Sequence, residues 1–218
     1  EFRRVLFRSI ISLGGKIMKK FLLALAAACL MSTTACAAPS EIILPTVGTE
    51  SNLSVMQALS QRHSSRNFVD KDLTTAQLSK ILWAANGINR EDGKLVYPSA
   101  MNSRDLVIFA FTKSGVFRYN PESNTLTVIE KGDYRNYAAV QPFGAKAAVN
   151  LVYVQEISRW PNIPVSPEHK KQSGFAHAGF SMQNVYLYAA SQGWGAHCVQ
   201  SMNYEKLPEI LGLTETQS

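Results

Sequence analysis

The sequence predicts an α+β fold, on three observations. Residues 106–112 and 147–155 are β-rich apolar runs that suit buried strands, the first without interruption. Leu78, Ile81, Leu82 and Ala85 recur at helical spacing, as do Met182, Val185, Tyr186 and Ala189. The strand-like and helix-like segments are interleaved with no regular βαβ alternation, which argues against a doubly wound parallel sheet.

In chain order, 39–52 reads as a linker-like lead-in holding Pro39, Pro45 and Gly48. A helix is expected over 53–62. Thr74-x-x-Gln77 has the form of a capping box, and the helix it opens is expected to stop at Asn86-Gly87. Residues 89–103 are a polar loop around Tyr97-Pro98-Ser99. Strands at 106–112, 116–119 and 125–130 are separated by turns at 113–115 and 120–124, giving an antiparallel meander. A short helix over 134–140 precedes a strand at 147–155. Residues 156–173 carry Pro161, Pro164 and Pro167 around Trp160 and are expected to be irregular, either a binding loop or a plain surface excursion. A helix over 175–192 ends at Gly193. A strand at 196–202 and a short helix at 207–213 follow.

The front of the chain reads differently. Met18-Lys19-Lys20, the apolar run 21–31 and the small residues around Ala35-Cys36-Ala37 have the make-up of a secretory signal peptide. The apolar run is too short to span a bilayer. The expected location is therefore exported, periplasmic or secreted. Thr33-Thr34-Ala35-Cys36 is a weaker match to a lipoprotein box with Cys36 acylated, because the usual Leu three positions before the cysteine is absent. Residues 1–17 have no leader logic and read as a non-native scar.

The formal net charge of +6 belongs mostly to this front end. Residues 1–38 hold six of the 22 Lys and Arg but one of the 16 Asp and Glu. The rest is close to neutral, so no nucleic-acid partner is expected. Of three cysteines only Cys198 lies beyond the leader, so no internal disulfide is expected. Residues 39–218 suit one domain with a real core.

The densest chemistry is Arg62-His63-Ser64-Ser65-Arg66, directly after a helix-periodic run. Guanidinium forks and short hydroxyl donors suit a phosphorylated ligand. A solvated basic helix end is the plainer reading, since Arg favours the C-terminal dipole.

Four blocks together carry a family resemblance. They are Arg62 to Arg66; Pro98-Ser99-Ala100-Met101-Asn102-Ser103; 179–195, read as G-F-x-x-Q-N-x-x-L-x-A-A-x-x-G-x-G; and 198–213, closing on Leu207-Pro208-Glu209-Ile210-Leu211-Gly212-Leu213. In order and spacing the chain resembles the FMN-dependent nitroreductases over 53–213. The L-W-A-A-x-G stretch at 82–87 and the Pro-Ser-Ala block are most similar to the thiazoline-oxidising (SagB-type) dehydrogenases within that family.

The resemblance implies an intertwined homodimer with a mixed, mainly antiparallel sheet flanked by helices, and FMN at the dimer interface. Carried over by position, Arg62, His63, Ser64 and Arg66 would grip the FMN phosphate, the ribityl chain and a ring edge. Pro98, Ser99, Ala100 and Asn102 would come from the other subunit and line the flavin. Gln200 and Ser201 match positions that supply backbone donors near flavin N5 and O4. The chemistry would be hydride transfer through N5 between NADH or NADPH and a small organic substrate, nitroaromatic, quinone or azoline-like. The reverse sense, substrate dehydrogenation with oxygen as acceptor, is also open. No side-chain nucleophile is required, so no catalytic residue is nominated. An exported enzyme would meet little NAD(P)H, which counts against the usual donor.

Two departures stand out. Arg104 occupies a place where the family commonly has an amide, where it would touch substrate or pair with a carboxylate. The chain ends at Ser218, where family members continue into a segment that embraces the partner, so the sequence reads as truncated, with weaker FMN binding and dimerisation expected. A rival from another class is an exported non-catalytic binding module that keeps the fold.

His63, His169, His177 and His197 lack metal-site spacing, so no metal is expected. Cys198 reads as a buried strand residue. Trp83 reads as core, Tyr186 and Tyr188 as core and interface, and Trp194 as packing or cofactor contact.

Overall fold

The computed structural model describes residues 40–50 and 53–218. The 1–17 segment, the predicted leader, Cys36 and the cleavage site lie outside the described residues. Five strands form one sheet: β1 (Glu41–Ile43), β2 (Leu106–Thr112), β3 (Gly115–Asn120), β4 (Thr125–Lys131) and β5 (Val149–Gln155). They lie in the order β1-β4-β3-β2-β5, and every pair is antiparallel. The expected meander is β2-β3-β4.

The uninterrupted apolar run of β2 is explained by its interior place, with both faces buried. β3 pairs on one side, with Phe109 opposite Arg118, and β5 on the other, with Phe109 opposite Val152. Successive side chains point to opposite faces. Leu106, Ile108 and Ala110 therefore enter a core with Leu82, Leu95, Tyr97 and Tyr119. Val107, Phe109 and Phe111 enter a second core with Val116, Val152 and Val154.

Helices α1 (Val55–Gln61), α2 (Thr75–Asn86) and α4 (Pro167–Ser191) pack together, α4 touching both of the others. The short helices α3 (Arg135–Ala138) and α5 (Leu207–Leu211) supply Ala138, Leu207 and Leu211 to the second core. The Thr74 capping box forms, with the Gln77 amide 3.2 Å from Thr74 Oγ1 and the Thr74 amide 2.9 Å from Gln77 Oε1. Ser54 and Gln57 build a second box ahead of α1. At the end of α2, Gly87 has an ordinary φ of −72°. Its need for glycine is steric, because a Cβ there would collide with the Trp83 indole.

Three expected elements differ. The lead-in read as linker contributes β1, whose Ile42 pairs with Leu126, and buries Leu44. The last seven residues of the expected irregular segment 156–173 are helix, because α4 starts at Pro167. Ser166 caps it and the proline sits in its first turn, where its missing N–H costs nothing. The rest of that segment is pinned by Trp160, which is buried. The expected strand at 196–202 does not form: Ala196 makes one parallel bridge to Ser64, and the residues after it are irregular. The run lies beside Ser64 and Ser65 and does not add to either edge strand of the sheet, β1 or β5.

No helix among the described residues is long and apolar enough to cross a membrane.

Candidate functional site

The basic pentad leaves the end of α1 in an extended conformation, since the capping residue Arg62 has φ −61° and ψ 124°. The chain then runs alongside the 195–201 segment. Ser64 bridges Ala196, and the Ser65 amide donates to the Ala196 carbonyl at 2.9 Å. Gly195 permits this approach, because a Cβ there would sit 2.9 Å from Ser65 Cβ.

Tyr186 of α4 ties the two segments together. Its hydroxyl is 3.2 Å from Ser64 Oγ and accepts from the Cys198 amide at 2.7 Å. Its ring lies 5.4 Å beneath the Arg62 guanidinium. Arg66 sits over Phe143, and Phe143 meets His197 edge-on. Among the described residues, neither Arg62 nor Arg66 has a carboxylate partner. His63 Nδ1 is 2.9 Å from the Gln61 carbonyl, which can only accept, so the ring proton sits on Nδ1 and Nε2 is free. His197 Nδ1 is buried without a partner, and burial, then the nearby Arg66 charge, holds its pKa below the ordinary 6.5.

Gln200 and Ser201 lie exposed in the same neighbourhood. The Gln200 carbonyl accepts from the Tyr204 hydroxyl, and the Ser201 carbonyl from the Val140 amide at 3.1 Å. Cys198 is exposed, not buried, because its segment has no strand neighbours to cover it.

The Pro98–Ser103 block is built elsewhere. Met101, Asn102 and Arg104 all adopt left-handed backbone, with φ of 52°, 52° and 48°. Each such non-glycine residue costs on the order of 1–2 kcal/mol. The turn is closed from within by Ser99 Oγ, which accepts from the Arg104 amide at 3.1 Å. Met101 and Asn102 are left exposed at its tip, and Pro98 is exposed beside them. The Ala100 amide donates to His177 Nε2 of α4 at 2.8 Å, and His177 Nδ1 is 2.7 Å from Asp105 Oδ1. Asn184, from the Q-N block, donates to the Val96 carbonyl just ahead of the turn. Arg104 reaches no carboxylate; its Nη1 donates to the Gly93 carbonyl.

Within one chain the structure thus joins Arg62, Ser64 and Arg66 to the 195–201 segment, and it does not join them to Pro98, Ser99, Ala100 or Asn102. His177 and Tyr186 are nine residues apart on α4, so about 13 Å of helix and about half a turn of rotation separate the two groups. Tyr186, read from sequence as core and interface, and His177, given no role there, are the α4 residues that make these ties. Tyr186 falls at an unspecified position inside the 179–195 block, and His177 lies just ahead of that block. Among the described residues, no group of three or more His, Cys, Asp or Glu side chains could hold a metal.

Comparison with known proteins bears on what this arrangement is. Residues 59–218 match the model of the Nitroreductase family. A candidate nitroreductase of Methanocaldococcus jannaschii is 31% identical over 192 residues, covering 80% of this chain and 91% of its own length. The crystal structure of a candidate nitroreductase from Ralstonia eutropha superposes with a TM-score of 0.75 at 32% identity, over 81% of this chain and 84% of that one. An NADPH:FMN oxidoreductase from Vibrio harveyi, solved with NAD+, shares the fold at a TM-score of 0.55 and 22% identity, over 75% of this chain and 64% of that one. With the antiparallel sheet, the long α4 and the match over 59–218, this chain belongs to the nitroreductase family, enzymes of the FMN-dependent oxidoreductase type.

Proposed function

We propose that two copies of this chain enclose FMN, each copy supplying one half of two equivalent sites. The observation that carries this reading is the bridge between Ser64 and Ala196. It holds the pentad, with two guanidinium groups lacking carboxylate partners among the described residues, along the segment that leads into the exposed Gln200-Ser201 pair. The residues present fit a flavin nucleotide. Arg62, Arg66 and Ser64 offer charge-assisted and hydroxyl donors for its phosphate. The free Nε2 of His63 faces no competing partner among the described residues. The orphaned His197 Nδ1 lies in the same cluster.

Pro98, Ser99, Ala100 and Asn102 of the second copy close over the ring. The exposed apolar residues support this second copy: Val55 and Met56 on α1 and Phe175 and Phe180 on α4 are 70%, 73%, 70% and 49% exposed. A groove between these helices is lined by Val55, Ala58, Leu187 and Tyr188.

Bound there, FMN supplies hydride transfer through N5. The chain's own residues bind and orient the nucleotide and present backbone groups of Gln200 and Ser201 to its ring. The substrate class is a small organic molecule, nitroaromatic, quinone or azoline-like, with NADH or NADPH as the donor in the reductive sense. The L-W-A-A-x-G stretch of α2 supports placement near the thiazoline-oxidising dehydrogenases. The leader motif supports export, with or without lipidation at Cys36.

Purified protein is expected to be yellow, to bleach with anaerobic reductant, and to sediment as a dimer. Arg66→Ala should weaken FMN about tenfold in a fluorescence titration, as loss of one charge-assisted contact. A colourless protein that ignores added FMN would refute the reading.

A further inference from the structure

We propose that His177, held by Asp105 as a neutral imidazole, is a positioning residue that locks the Ser99–Arg104 turn into its left-handed conformation. The inference rests on the reading above, in which that turn closes over the flavin of the partner copy. It goes beyond that reading by naming the device that sets the turn.

The proton positions follow from the donors. A backbone amide can only donate, so the 2.8 Å contact from Ala100 N makes His177 Nε2 an acceptor without a proton. The ring proton therefore sits on Nδ1 and is donated to Asp105 Oδ1 at 2.7 Å. Asp105 is completely buried and His177 is 3% exposed. The other carboxylate oxygen accepts from Trp160 Nε1 at 2.8 Å and from Gln155 Nε2 at 2.7 Å. Three donors thus hold the carboxylate in one orientation, and the carboxylate selects the tautomer. The indole also stacks on the imidazole, 23° from parallel.

The turn needs such a tie. Three of its four residues from Met101 to Arg104 have positive φ without being glycine, a backbone that persists only where its surroundings over-determine it. Ser99 Oγ and the Arg159 guanidinium, which donates to the Arg104 carbonyl at 2.9 Å, brace the C-terminal side. The Ala100–His177 bond braces the N-terminal side against α4. A plain core histidine would need only to fill space. This one has both ring nitrogens committed, in opposite directions, to a buried carboxylate and to a strained turn.

Two measurements test this on the whole protein. Long-range proton–nitrogen correlation spectra with labelled histidine are expected to show His177 protonated on Nδ1 and bare on Nε2, and the Ala100 amide is expected to exchange slowly. An Nε2-protonated ring, or fast exchange at Ala100, overturns the proposal with or without flavin.

The second measurement compares His177→Gln with His177→Asn. Glutamine places its amide oxygen near the Nε2 position and can still accept from Ala100, whereas asparagine falls short of it. FMN affinity should stay within about threefold of wild type in His177→Gln and fall about tenfold or more in His177→Asn, with faster exchange over 99–104 only in the latter. Equal affinity and equal exchange in both variants overturn the proposal. If wild-type protein does not bind FMN, the reading of the site fails, and the tautomer and exchange results still decide whether the pair holds the turn.

Discussion

A single orphaned nitrogen makes the site's electrostatics measurable. His197 Nδ1 is buried without a partner, beside Phe143 and the Arg66 charge. Burial and then Arg66 depress its folded-state pKa below the ordinary 6.5. As pH falls through 6.5 the unfolded chain takes up this proton first. The group therefore opposes folding at acid pH and is silent above its unfolded value. The His197 ring resonances are expected to titrate with a midpoint under 6.5, and Arg66→Ala should move that midpoint upward. An unchanged midpoint in the variant would show that the two groups do not interact. The basic pentad was singled out by its donor chemistry. His177 was not, because its carboxylate partner lies 72 positions away along the chain and no local spacing announces the pair.

At the level of elements, what could be read depended on whether the signal was local. The Thr74 box and the apolar stripe of α2 are local, and both form as expected. Thr74→Ala should lower the unfolding free energy by about 1 kcal/mol in urea denaturation, the usual value of an N-cap. No change would mean that the reciprocal bonds to Gln77 contribute nothing in this context. The β2-β3-β4 meander was legible because its turns are short and β2 is apolar from Leu106 to Phe111. Three elements were not. Pro167 reads as a loop residue beside Pro161 and Pro164 until Ser166 is recognised as a cap. Ala196 onward has strand composition, but it lies against the Ser64–Ser65 segment and not along an edge of the sheet. β1 is three exposed residues between prolines, and only pairing with β4 makes it a strand.

On the scale of the whole molecule, α4 is the organising feature. Its Tyr186 side carries the pentad and the 195–201 segment, and its His177 side carries the turn that displays Asn102. The order of the blocks along the sequence is the basis for reading these parts as one site. Their separation about the helix is a property of three dimensions that no linear pattern contains. If two copies share the site as proposed, weakened chains should complement one another. In that arrangement a chain weakened by Arg66→Ala and another weakened by Asn102→Ala each lack one contact of the half-site they supply. When unfolded together and refolded, half of the resulting pairs combine one of each, and every such hybrid has one site intact and the other doubly broken. About a quarter of the sites should then titrate with wild-type affinity, a class absent from either preparation alone, as twofold symmetry requires. No recovery on mixing would mean that each chain builds its site unaided.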